Sequence, residues 1–150
     1  MKTILIASSK GGTTSTTTSL LLGRQLYEMG YLDIAIIDAD ESCCAQRWAK
    51  KAEGGSYLTI IGDDSDHVGK NVKKLKGFDF VIMDAPPYIS PRQTQALIKA
   101  ADLILVPVTS SVVDVEMAAD IVELISARQE LADGTPDAAF VINAAKPRHI

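Results

Sequence analysis

Two kinds of hydrophobic pattern alternate along the chain. Short, largely apolar runs fall at 3–7, 34–37, 57–61, 78–83, 103–108 and 138–144. Runs of that length with no polar alternation predict parallel strands covered on both faces. Between them lie longer stretches with apolar residues three or four apart. The spacing predicts a helix over 16–29, with Leu22, Leu26 and Met29 as its core stripe and Gly30 as its C-cap. A short helix over 45–52 carries Trp48 and is broken by Gly54-Gly55. Val68, Val72 and Leu75 mark a narrow apolar stripe that Gly77 ends. Pro91 suits the first turn of a helix over 91–101. A long amphipathic helix is expected over 113–131, with Val115, Ala118, Val122 and Ile125 on one face. Strand and helix in strict alternation predict a doubly wound α/β sandwich: a mostly parallel sheet with helices on both faces, forming a single domain over 1–150. In such folds ligands sit at the C-terminal ends of strands.

Polar residues of unusual composition cluster at those ends. The first strand runs into Ser8-Ser9-Lys10-Gly11-Gly12-Thr13-Thr14-Ser15-Thr16-Thr17-Thr18 and then a helix. A strand, a Gly-rich turn and a helix N-terminus make an anion nest from backbone N–H groups and the helix dipole. Gly11 and Gly12 permit close approach of backbone to ligand. Thr16 offers a hydroxyl of the kind that holds Mg²⁺ beside a nucleotide. A Ser/Thr-rich turn with no ligand is the plainer reading of this stretch taken alone. The second strand ends in Asp38-Ala39-Asp40-Glu41-Ser42, and the fourth in Asp84-Ala85-Pro86-Pro87. An Asp closing an apolar strand is what a magnesium-orienting carboxylate looks like, and is also a common turn former. Asn143 lies on the last strand.

Lys10-Gly11-Gly12 resembles the start of the deviant Walker A motif, Lys-Gly-Gly-x-Gly-Lys-[Ser/Thr]-Thr, of the ParA/MinD family of ATPases. Asp38-Ala39-Asp40 resembles that family's Asp-x-Asp switch, Asp84-Ala85-Pro86-Pro87 its Walker B segment, and Ala101 to Val108 the strand that follows. The resemblance spans essentially the whole chain and implies a P-loop NTPase fold of the SIMIBI-like class. By that likeness, ATP or ADP would be held by Lys10, Gly11, Gly12, Thr13, Thr14, Ser15, Thr16 and Thr17, with Asn143 at the adenine edge. Thr16, Asp38 and Asp84 would hold Mg²⁺. Lys10 would reach the partner subunit's phosphates, and Asp40 would orient or deprotonate the attacking water. The implied activity is that of a partition ATPase: an ATP-dependent homodimer that binds nonspecific DNA, meets a centromere-binding partner and segregates plasmid or chromosome cargo. Three departures stand out. Ser15 replaces the family's P-loop lysine, Thr14 replaces a glycine, and Glu41-Ser42 replaces the usual Pro-Gln. The first two leave open a pseudo-ATPase of the same fold acting as a regulatory module. Family members usually continue past the last strand with further helices, so the resemblance implies a domain without that C-terminal part.

Composition narrows the setting. Hydrophobic residues make up 47% of the 150, enough for a packed core, and the net charge of −4 gives no general basic field for nucleic acid. The lysines at 70, 73, 74 and 76 could form a local DNA-contacting face, though a solvated helix surface explains them more simply. The two cysteines are adjacent, Cys43-Cys44, and suit neither a disulfide framework nor a zinc site. No run is long enough to span a bilayer and no signal peptide is evident, so a cytoplasmic protein without membrane contact is expected. A MinD-like membrane switch would need a basic amphipathic tail, which the chain does not show.

Overall fold

The computed structural model describes residues 1–8, 14–51, 57–86 and 91–143. Six strands form one all-parallel sheet: β1 (Lys2–Ile6), β2 (Ile34–Asp38), β3 (Thr59–Gly62), β4 (Phe80–Asp84), β5 (Leu103–Thr109) and β6 (Asp137–Asn143). Their order across the sheet is β3-β2-β4-β1-β5-β6. Among the described residues six helices accompany them: α1 (Ser15–Glu28), α2 (Cys44–Lys51), α3 (Val68–Val72), α4 (Pro91–Ala100), α5 (Val112–Met117) and α6 (Ala119–Glu130).

Handedness accounts for the layering. The chain moves one way across the sheet from β1 to β2 to β3, then the other way to β4, β5 and β6. Right-handed crossovers therefore carry α1 and α2 to one face and α3, α4 and α6 to the other. The two cores follow that division. Ile4, Ile6, Ile34, Ile36 and Ile82 meet Leu26, Ala45 and Leu58 on the first face. Leu5, Ala35, Ile37, Val81, Met83 and Ile104 meet Val68, Val72, Leu97, Ile98, Ile121 and Ile125 on the second. Adjacent residues of the four central strands β1, β2, β4 and β5 thus serve opposite cores, which is why those strands are largely apolar, whereas the edge strand β6 stays mostly exposed.

Two helices depart from the sequence expectation. In α1 the buried positions are Ser19, Gly23 and Leu26, whereas Met29 is 65% exposed at the C-cap. Close packing is the cause: a Cβ at Gly23 would stand 3.0 Å from a Leu58 methyl, so the helix approaches the core through small residues. The expected long helix over 113–131 is broken at Ala118, whose backbone (φ −75°, ψ −10°) ends α5. The Ala118 N–H is shared between the Asp114 and Val115 carbonyls. Thr109 donates its hydroxyl to Asp114, tying α5 to the end of β5. The chain then turns so that Ile121 and Ile125 of α6 can reach the sheet, leaving Val115 exposed. The Gly54-Gly55 break and Ala144, the last residue of the expected final strand, lie outside the described residues.

Candidate functional site

Reversal of chain direction across the sheet makes a crevice where neighbouring strands send their connections to opposite faces. Here that happens on both sides of β4, between β1 and β2. Asp38 and Asp84 are register partners at the C-terminal ends of β2 and β4. Adjacent strands lie about 4.8 Å apart, and the alternation that points Ile36 and Ile82 toward α1 carries both carboxylates to that same side. Both aspartates are buried.

Asp84 is the outlier. Burial pushes its carboxyl up to about 6; the Thr16 and Ser19 hydroxyls of α1 oppose that shift, and the nearby Asp38 and Asp40 charges add to it. Neither hydroxyl closes a hydrogen bond to Asp84, since among the described residues both Asp84 oxygens and the Ser19 Oγ are buried without a partner. Asp38 is engaged: its Oδ2 accepts the Gln46 N–H at 3.0 Å, in the first turn of α2, and its Oδ1 accepts the Asp40 N–H at 3.4 Å. Asp40 is half-buried just past the strand, its Oδ1 accepting the Ser42 N–H at 2.9 Å and its carbonyl the Cys43 N–H at 2.9 Å.

The N-terminus of α1 faces this crevice. Thr14, the residue before the helix, holds a left-handed conformation (φ +66°, ψ +29°) and makes no side-chain cap. The first turn carries no acidic residue either, so no acidic side chain of that turn neutralises the donors of the helix start. Ser15 and Thr16 are half-buried there and Thr17 is exposed. Asn143, at the end of β6, donates to the Thr14 Oγ1 at 2.6 Å and the Thr18 Oγ1 at 3.1 Å, joining the last strand to this turn. Lys10, Gly11, Gly12 and Thr13 lie outside the described residues, as do Pro87 and the residues after it up to 90.

The structure thus brings Thr16, Asp38, Asp40 and Asp84 together, and sets Asn143 on the flank with Thr14. It adds three residues that motif reading passed over: Ser19, one turn after Thr16 on the same helical face; Thr18; and Gln46, whose backbone anchors Asp38. The signal for Ser19 was its spacing, three residues beyond Thr16.

A magnesium ion fits this arrangement. Among the described residues no three acidic, histidine or cysteine side chains gather to cage a metal. Two carboxylates and a hydroxyl are what Mg²⁺ takes when it keeps several waters and shares phosphate oxygens. The orphaned carboxylate of Asp84 is the donor such an ion would satisfy.

Comparison with known proteins agrees with this layout. No protein-family model matches the chain. ParA of Rhizobium radiobacter is 28% identical over 151 residues, covering 98% of this chain and 66% of that protein. Maintenance of carboxysome distribution protein A of Halothiobacillus neapolitanus is 28% identical over 149 residues, covering 97% and 68%. The chain therefore spans about two thirds of the length of these relatives. An ATP complex of a Cyanothece McdA variant superposes with a TM-score of 0.74 at 22% identity, over 95% of this chain and 70% of that one. Cobyrinic acid a,c-diamide synthase from Mycobacterium smegmatis, with ADP and magnesium bound, superposes at 0.67 with 20% identity, over 93% and 71%. The structural likeness establishes the fold, and the sequence matches run through every strand of it. In sequence the chain resembles ParA and the carboxysome distribution protein, and in fold it resembles the ParA/MinD type of P-loop ATPase.

Proposed function

We propose that this chain is an ATP-dependent switch of the partition type, which binds ATP or ADP with Mg²⁺ at the α1 N-terminus and positions a cellular cargo. The observation that carries the reading is Asp84, a buried carboxylate with two unpartnered oxygens facing an uncapped helix start. Backbone donors from Lys10 to Thr17 cradle the phosphates, and Asn143 recognises the adenine edge. Thr16, Asp38 and Asp84 would hold the metal, which would supply positive charge beside the phosphates. Asp40 accepts a proton from the attacking water, or orients it. In the ATP-bound homodimer Lys10 reaches across to the partner's phosphates. A relative named ParA and another named for carboxysome distribution support a cargo-positioning role. We favour plasmid or chromosome segregation, with nonspecific DNA and a centromere-binding partner protein, in the cytoplasm. Among the described residues no helix is long and apolar enough to cross a membrane.

Ser15 favours a second reading. A serine supplies no cation to the phosphates, and one lost charge-assisted contact costs roughly 1.5–3 kcal/mol, or about tenfold to a hundredfold in affinity. The chain would then be a weakened ATPase with a regulatory role. Calorimetry of ATP with Mg²⁺ on this chain and on Thr14→Gly/Ser15→Lys separates the readings. Binding and turnover by both supports the switch. Binding by the double variant alone supports the regulatory module. Binding by neither removes the nucleotide reading altogether.

A further inference from the structure

On the face of the sheet away from α1, helices α3 and α4 approach backbone to backbone. A Cβ at Gly69 would fall 2.3 Å from the Ala96 carbonyl oxygen, so only glycine permits this crossing. The crossing floors a cavity of about 360 Å³. Lys70 and Lys73 stand on one wall, Arg92 and Lys99 on the other, and among the described residues no acidic side chain lines it. All four cations are exposed, and none forms an ion pair among the described residues.

Across α4 lies a second pocket of about 160 Å³, which shares Gln95 and Lys99 with the first and adds Arg128. The Arg128 Nε is buried and has no hydrogen-bond partner. Such a donor needs an acceptor, and a guanidinium prefers a carboxylate or phosphate. Five cations therefore flank one helix in a chain of net charge −4.

We propose that this cleft, with α4 as its spine, docks a short acidic peptide segment of a partner protein. Its length fits: from Arg92 to Lys99 the helix rises about 10 Å, which about three residues of extended peptide span. Its ends fit as well. Asp63, Asp64 and Asp66 occupy the loop before α3, and the Asp64 carbonyl accepts a hydrogen bond from Gln93 of α4 at 3.2 Å. That bond sets the acidic loop beside the start of α4, near the Arg92 end of the cleft. A nucleic-acid duplex carries a charge about every 1.7 Å along its axis and would run onto that loop. It also cannot insert a single anionic group beside Arg128, whereas a glutamate side chain can. The Lys70 cluster, read from sequence as a solvated face or a DNA surface, takes a different role here.

The test is fluorescence anisotropy of labelled hexaglutamate with the full chain, against a short random-sequence DNA duplex. Peptide binding should weaken with added salt. It should fall at least about tenfold in Lys70→Glu/Lys73→Glu and in Arg92→Glu/Lys99→Glu. Lys50→Glu/Lys51→Glu, which reverses two exposed cations on α2 at the opposite face, should leave it unchanged. Carbodiimide crosslinking of the peptide to the unmodified chain should label Lys70, Lys73 and Lys99, and this arm does not depend on any variant folding. Absent peptide binding, an equal loss in the α2 control, or crosslinks elsewhere would overturn the proposal. So would a duplex that displaces the peptide and is weakened by the same groove variants, since the cleft would then be a nucleic-acid surface.

Discussion

Asp84 and Asp102 lie at opposite ends of the same sheet and are treated in opposite ways. Asp102, just before β5, has its Oδ2 clasped by Thr3 of β1, through the backbone N–H at 2.7 Å and the hydroxyl at 3.0 Å. The same hydroxyl also contacts the Ala100 carbonyl at 2.7 Å, and the Asp102 N–H returns to the Thr3 Oγ1 at 3.0 Å. This closed set of bonds locks two central strands where the polypeptide enters the sheet. Asp84 has no such partners and sits more deeply. One carboxylate completes the fold, while the other is kept incomplete at its expense. Burying a charge without a partner is costly, and such a residue persists where a ligand supplies what the fold withholds.

The sharpest way to break this contrast is Asp84→Asn. Raising the carboxyl from its ordinary range to about 6 corresponds to roughly 3 kcal/mol. The sign follows from proton uptake. Between the ordinary carboxylate range and about pH 6 the folded chain holds a proton that the unfolded chain has released, so stability falls as pH rises through that window. Without metal or nucleotide, Asp84→Asn should therefore be the more stable protein at pH 8, by up to about 3 kcal/mol. That advantage should vanish at about pH 4, where the carboxyl is protonated in both states. Urea denaturation at the two pH values measures it. A variant less stable at pH 8 would show that Asp84 has partners after all.

Asp102→Ala tests the other end. Removing an acceptor that serves two donors, one of them the backbone N–H of a central strand, should cost about 2 kcal/mol. ATP affinity should be unchanged, because the clasp lies a strand's length from the crevice. A loss of ATP binding beyond the loss of folded protein would join the two ends and dissolve the contrast. Between these extremes stands magnesium itself. If Asp84 must ionise to receive Mg²⁺, the thermal shift given by Mg²⁺ with ATP should shrink as pH drops below about 6. A shift constant from pH 5 to pH 8 would place the ion elsewhere.

The two ends were unequally legible in the sequence. Asp84 was visible because it closes an apolar run and precedes Ala85-Pro86-Pro87, a pattern with a chemical reason. The Thr3–Asp102 clasp joins residues ninety-nine apart, and no local pattern encodes a contact set by strand order. All six strands could be read from their largely apolar runs; burial on both faces demands such runs in the central strands, while the edge strand β6 keeps an apolar run with Phe140 and Ile142 exposed. Their order could not, since crossover handedness fixes which face a helix takes but not which neighbour a strand joins. The α1 stripe misled because hydrophobicity marks large residues, while Ser19 and Gly23 make the contact by being small. The break at Ala118 was hidden for a similar reason. Val115, Ala118, Val122 and Ile125 continue a helical period that tertiary packing interrupts.

The smallest expected effect concerns the flank of the crevice, where strain and bonding meet at one residue. Thr14 is β-branched yet holds φ +66°, a conformation costing of order 1–2 kcal/mol for such a side chain. Its hydroxyl accepts the Asn143 amide at 2.6 Å, and one hydrogen bond returns about 1 kcal/mol. Thr14→Gly removes both at once, so its net gain should stay below about 1 kcal/mol. In an Asn143→Ala background the bond is already gone, and the same substitution should then stabilise by about 1 kcal/mol more than it does in the parent. The double-mutant cycle, read by urea denaturation, isolates that difference. Equal gains in both backgrounds would mean that Asn143 does not hold the loop through Thr14, leaving Thr18 as its structural anchor on α1.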